Sequence, residues 1–136
     1  MTVKELINKL KEYSEDLFVI TQASYCESDY AFSFSNYSVV TDVYIEDDCL
    51  VRLSDCKCFR HKSSVTNPMT VKEVINELSK CPSNLEVQTE VFDSTDFLCY
   101  GMVNGITDDI AKVSCDEDNN IVILNSIEHN YIENNT

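Results

Sequence analysis

The sequence predicts an α+β protein built from two tandem repeats, each one N-terminal helix packed on an antiparallel sheet of about four strands. Three observations predict it. Shifted by 68 residues, MTVKELINKLKEYSEDLFVITQ (residues 1–22) lies over MTVKEVINELSKCPSNLEVQTE (residues 69–90) with 11 of 22 positions identical, the mark of a copied supersecondary unit. Both copies open on a helix signature, and both continue in period-two apolar alternation. A unit of about 60 residues is marginal alone, because so small a domain buries too little of its surface. The copies are therefore expected to pack as a pseudo-twofold pair, like a homodimer whose subunits have been joined. The expected organisation is a first αββββ repeat over residues 1–58, a linker at 59–68, a second αββββ repeat over 69–125 and a tail at 126–136.

Each helix start is written in the residues. Thr2 followed by Glu5, and Thr70 followed by Glu73, are capping boxes in which the Thr side chain accepts from an orphan amide and the Glu reaches back. Val3, Leu6, Ile7 and Leu10 share one face at helical spacing, as do Val71, Val74, Ile75 and Leu78, which predicts one-sided helices of about three turns that need a sheet to cover. Pro82 cannot continue the second helix, and Ser14 stands at the same place in the first.

Strands follow. Leu85, Val87, Thr89 and Val91 alternate with Glu86, Gln88 and Glu90, a strand with one buried and one wet face. Its counterpart has Leu17, Val19 and Thr21 on one side but Phe18 and Ile20 on the other, so both of its faces are expected to be covered. Tyr30, Phe32 and Phe34 then alternate with small residues, and a strand is expected over 39–45; residues 97–103 answer in the second copy. The last two strands of each copy read as a hairpin. Val43-Tyr44-Ile45 and Leu50-Val51-Arg52-Leu53 flank Glu46-Asp47-Asp48, and Ala111-Lys112-Val113 and Ile121-Val122-Ile123-Leu124 flank the acidic stretch from Asp116 to Asn120. Within each unit the strands are expected to join as an antiparallel meander. The joining stretch CKCFRHKSSVTNP (residues 56–68) is polar and Pro-ended, and the final SIEHNYIENNT has little periodicity.

Composition narrows the function classes. The 136 residues carry Lys+Arg 10 against Asp+Glu 24, a formal charge of -14, so neither free nucleic acid nor an anionic membrane is an expected partner. Hydrophobic residues at 43% and aromatics at 10% supply a core that a disordered acidic chain lacks. There is no apolar run long enough to cross a bilayer, and the opening helix carries charges rather than the apolar stretch of a signal peptide. A cytoplasmic location is expected, in the host cell if the protein is phage-encoded.

Catalytic patterns are missing. No G-x-S-x-G, C-x-x-C or H-E-x-x-H occurs, and Gly 2 in the whole chain leaves no material for a phosphate cradle. His61 and His129 fall in the expected linker and tail. The seven cysteines are an odd number, expected reduced in the cytoplasm. Cys56, Cys58 and His61 are the one cluster, without the second cysteine pair that zinc sites of this kind use. Asp108-Asp109 and Asp116-Glu117-Asp118 offer oxygen ligands for a divalent cation, but a run of this composition between two strand patterns reads first as a turn. The expectation is a non-enzymatic protein with no catalytic residue, no metal and no cofactor.

The openings MTVKELINKLKEYSEDLFV and MTVKEVINELSKCPSNLEV resemble a group of short phage and prophage proteins that begin with an M-T-x-K-E-L-I-x-x-L helix, an acidic or Pro-containing turn and a Val-rich strand. The likeness covers about the first 22 residues of each copy and here occurs in tandem. Small acidic phage proteins include inhibitors of bacterial defence systems, anti-CRISPR proteins among them. The resemblance thus implies an anti-defence role by analogy.

Two surfaces are candidates for partner binding. Residues 1–68 carry 11 acids and 7 bases, whereas residues 69–136 carry 13 acids and 3 bases. The bland reading is a solubilising surface. The sharper one is an acidic face made by Glu86, Glu90, Asp108, Asp109, Asp116, Glu117 and Asp118, offered as a nucleic-acid mimic to a protein partner with a basic surface. The aromatic surplus of the first copy gives the alternative: Phe18, Tyr25 and Tyr37 as an oligomer interface of a structural or assembly accessory protein, hence a homo-oligomer. A third reading is a small-ligand sponge with the tyrosines stacking on a ligand between the copies.

Overall fold

The computed structural model describes residues 1–25, 34–46, 50–53, 60–62, 65–93 and 106–125. Within them the chain is α+β, with the order α1 (Val3–Leu10), β1 (Phe18–Tyr25), β2 (Phe34–Val39), β3 (Tyr44–Glu46), β4 (Leu50–Arg52), β5 (Arg60–Lys62), α2 (Val71–Leu78), β6 (Glu86–Asp93), β7 (Ile106–Asp109), β8 (Lys112–Asp116) and β9 (Ile121–Asn125).

Both helices start at their capping boxes. The Thr2 hydroxyl accepts from the Glu5 amide at 3.2 Å while the Glu5 carboxylate accepts from the Thr2 amide at 3.1 Å. Thr70 and Glu73 repeat this at 3.3 Å in both directions. Each helix has eight residues, nearer two turns than the expected three. The chain tightens after Leu10 and Leu78 into three-residue bonds, Tyr13 N–H to Leu10 C=O at 3.1 Å and Cys81 N–H to Leu78 C=O at 3.0 Å, which satisfy the end carbonyls without a further α-turn. Val3, Leu6, Leu10, Val71, Val74 and Leu78 are buried in one cluster with Val19, Val51, Leu53, Val87, Val122 and Leu124 from the strands. Each such side chain stabilises the fold by roughly 1.5–3 kcal/mol relative to exposure.

The sheet is mixed, which corrects the expected antiparallel meander. β4 runs parallel to β1 and β9 parallel to β6, while β3 and β8 close antiparallel hairpins onto β4 and β9. β2 pairs antiparallel with β6, and β7 pairs antiparallel with β1. Alternation specifies which side chains face the core but not which strand lies alongside, so β2 and β7 each leave the strand that precedes them. β1 and β6 themselves meet in parallel at Ser24↔Phe92 and Tyr25↔Asp93. The stretch expected as linker contains β5, which pairs parallel with β7.

Contacts between the two halves come in reciprocal pairs. Val3 N–H donates to Leu85 C=O at 2.9 Å, and Val71 N–H donates to Leu17 C=O at 2.8 Å. Lys4 and Lys72 N–H bond Ser83 and Glu15 C=O at 3.0 and 3.2 Å, and Val87 and Val19 N–H bond Met1 and Met69 C=O at 2.9 and 3.2 Å. The Met1 amino group donates to Val40 C=O at 2.9 Å, as Met69 N–H does to Ile110 C=O at 3.0 Å. α1 packs against α2 and β6, and α2 packs against β1. Each helix start is thus fastened to the first strand of the other half.

The double-sided apolar pattern of β1 has a divided outcome. Ile20 is wholly buried and stands apart from the main cluster, whereas Phe18 remains 42% exposed. Tyr30, Phe32 and residues 97–103 lie outside the described residues, as do Cys56, Cys58 and His129. His61 falls in β5.

Candidate protein-binding face

The second half presents a three-strand surface formed by β6, β9 and β8. Glu86 pairs with Ile121, and Ile121 pairs with Asp116. Directly opposed residues share a face of a sheet, so the two carboxylates flank one apolar residue although 30 positions separate them in the chain. Val87, Thr89, Val122 and Leu124, the intervening residues, are buried on the helix side. The acidic row therefore belongs to the opposite face.

Glu90 lies on the same face as Glu86 but is half-buried, and its carboxylate accepts from the Asn125 side-chain amide at 2.6 Å. Burial pushes its carboxyl above the usual carboxylate range. Glu117 and Asp118 are exposed in the turn between β8 and β9. That turn is held by Asp116, whose carboxylate accepts from the Asn119 amide at 3.3 Å and from the Asn119 side chain at 2.8 Å. It closes through Asn120 at φ 57°, a left-handed conformation that Asn tolerates better than most residues.

Asp108 and Asp109 do not join this face, which corrects their assignment to it. They lie in β7, between β1 and β5, and are only 4% and 6% exposed. Asp108 pairs with Thr21 on β1, and its carboxylate accepts from the Asp109 amide at 2.7 Å. Strong burial of an acid is rare enough that composition argues against it, and only the insertion of β7 beside β1 brings it about. Of the seven acids, Glu86, Asp116, Glu117 and Asp118 cluster at one exposed end, Glu90 borders them, and two are interior.

The aromatic alternative is placed only in part. Phe18 opens β1 opposite Leu50, the position that Glu86 occupies opposite Ile121 in the other half. Tyr25 lies opposite Asp93 and Tyr37 opposite Glu90 along the backbone; their side chains are outside the described ones. Sequence reasoning did not single out Val39, Tyr44 and Ile45 for partner binding, although all three are exposed large apolar residues, as Phe18 is. Tyr44 carries the Arg52 guanidinium 5.0 Å over its ring, a cation–π contact. For Tyr44 and Ile45 the signal was the short hairpin pattern itself, since a three-residue end strand covers little of its own surface.

Among the described residues no group of three or more His, Cys, Asp or Glu is arranged to hold a metal ion, and no helix is long and apolar enough to cross a membrane. No family model, curated protein or solved structure matches the chain.

Proposed function

We propose that the chain is a tandem repeat folded as a pseudo-twofold pair, and that it acts without catalysis as an acidic binding protein of phage or mobile-element type. On this reading it inhibits a host nucleic-acid-handling or defence protein by occupying a basic surface. The observation that carries the proposal is the row Glu86–Ile121–Asp116, continued by exposed Glu117 and Asp118. Clustered carboxylates around a small apolar centre suit a groove lined by Lys and Arg, because complementary fields steer association and the apolar residue supplies dehydrated contact. The reciprocal backbone bonds support the pairing of the repeats. The equivalence of Phe18 and Glu86 supports a division of labour in which the second half became the acidic one.

A second reading has its own observation: Phe18 and Tyr44, which share the sheet face away from the helices, are 42% and 37% exposed, material for an oligomer interface of an assembly accessory protein. Immobilised protein incubated with bacterial lysate separates the two. The first reading expects a basic nucleic-acid-binding protein that elutes as salt is raised. Capture only of further copies of this chain, with little salt dependence, favours the second.

A further inference from the structure

Two thiols meet where the second helix ends. Cys81 follows α2, held by its N–H to Leu78 C=O at 3.0 Å and by its thiol against Glu77 C=O at 3.7 Å, and it is half-buried against the main core. Cys115 lies in β8 opposite buried Val122, which places it on the helix side of the sheet. β8 ends the strand order, so Cys115 remains exposed. It is near enough to act electrostatically on the Cys81 thiol, and α2 packs directly on β8.

The first half fills the same place differently. Position 13 there answers to 81, and Ile45, opposite Val51, answers to Cys115, opposite Val122. Tyr13 packs beneath the hairpin and donates its hydroxyl to Val43 C=O at 3.4 Å. An aromatic ring and aliphatic side chains thus serve the packing in one half, so packing alone does not call for paired thiols in the other.

We propose that Cys81 and Cys115 form a dithiol modification site that a peroxide closes to an intrachain disulfide, tying the end of α2 to the edge strand β8. Burial, and next the neighbouring Cys115, push the Cys81 thiol up to about 11, so at neutral pH Cys81 is a protonated thiol. Exposed Cys115 meets the oxidant first. Its sulfur attacks one peroxide oxygen, the O–O bond breaks, and the released hydroxide takes a proton to leave as water, giving a sulfenic acid. The Cys81 sulfur then displaces the hydroxyl from Cys115. The S–S bond forms as the S–O bond breaks, and the Cys81 proton leaves with hydroxide as a second water. The two thiols lose two electrons in all, and the peroxide gains them. The bond would brace the base of the hairpin that bears Asp116, Glu117 and Asp118, and the chemistry holds whatever that hairpin binds.

The test is treatment of the reduced full-length protein with hydrogen peroxide, followed by alkylation of remaining thiols and peptide mapping with cleavage after Lys and after Glu, which separates Cys81 from Cys99. The expected result is a linked peptide pair joining Cys81 to Cys115, reversed by dithiothreitol, with Tm raised by roughly 5–10 °C. In Cys81→Ser and Cys115→Ser the linked pair and the Tm rise both disappear. The proposal is overturned if the wild-type map returns Cys115 as sulfinic or sulfonic acid beside an alkylated Cys81, or shows either one paired only with another cysteine; this readout does not depend on how the variants fold.

Discussion

The buried hydroxyl of Thr21 donates to the buried hydroxyl of Thr89 at 3.0 Å, and these two threonines align with each other when the sequence is shifted by 68 residues. A residue touches its own counterpart only at the axis of a twofold arrangement, so this contact is where the proposed pairing of the repeats is most sharply expressed. Thr89 passes the chain on, donating to Leu124 C=O at 3.4 Å.

The direction of that chain makes the two positions unequal. Thr89→Val removes the acceptor of a buried donor and is expected to cost about 1–3 kcal/mol, whereas Thr21→Val leaves Thr89 bonded to Leu124 and should cost about 1 kcal/mol or less. Urea unfolding of both single variants and the double variant measures this, with the double expected to cost less than the sum. Equal single effects that add fully would contradict the arrangement.

Each helix start is bonded to the residue that leads into the first strand of the other half, through Val3 to Leu85 and Val71 to Leu17. A fragment of residues 1–68 therefore lacks partners for its own backbone and for β2. It is expected to be unfolded as a monomer, or folded only as a dimer that recreates the exchange. Size-exclusion chromatography with far-ultraviolet circular dichroism decides this, and a folded monomer is the contrary result.

Glu90 offers a pH test. Its carboxyl is held above the ordinary value by burial, so the folded state binds its proton more tightly than the unfolded chain does. Ionisation then opposes folding: the penalty is full above the raised value and vanishes below the ordinary one. Glu90→Gln, which retains an oxygen to accept from Asn125, should raise stability at neutral pH by less than about 0.5 kcal/mol and leave it unchanged at strongly acid pH. Thermal melts at the two pH values check the sign, and destabilisation at neutral pH would contradict it.

Much of the fold was legible because its determinants are local. The caps at Thr2 and Thr70 need only residues three positions away, and the helix faces need only their spacing. The inward side of β6 follows from Leu85, Val87 and Thr89 against Glu86, Gln88 and Glu90. Strand neighbours were not legible, because pairing β2 with β6 and β7 with β1 is decided by how the halves pack rather than by alternation within a strand. The same cause hid the burial of Asp108 and Asp109, read as surface acids from their charge. It also hid two meetings across long stretches of chain, Glu86 with Asp116 around Ile121 and Cys81 with Cys115. The acidic turn at residues 117–120 was legible, since Asp and Asn favour turns and Asn120 takes the left-handed position.

The proposed contact is made by the acidic end of β6 and β8 together with the turn between β8 and β9. The direct measurement is the affinity of the captured partner for the wild type, for the combined variant Glu86→Lys, Glu117→Lys and Asp118→Lys, which leaves the turn-holding Asp116 in place, and for Phe18→Ala with Tyr44→Ala, each first checked for fold by circular dichroism. Exposed charges contribute little to stability, so the acidic variant should stay folded and lose at least tenfold in affinity, about 1.4 kcal/mol, while the aromatic variant binds like the wild type. Retained binding by the charge-reversed protein together with loss in the Phe18→Ala, Tyr44→Ala protein would contradict the account and move the contact to the aromatic side.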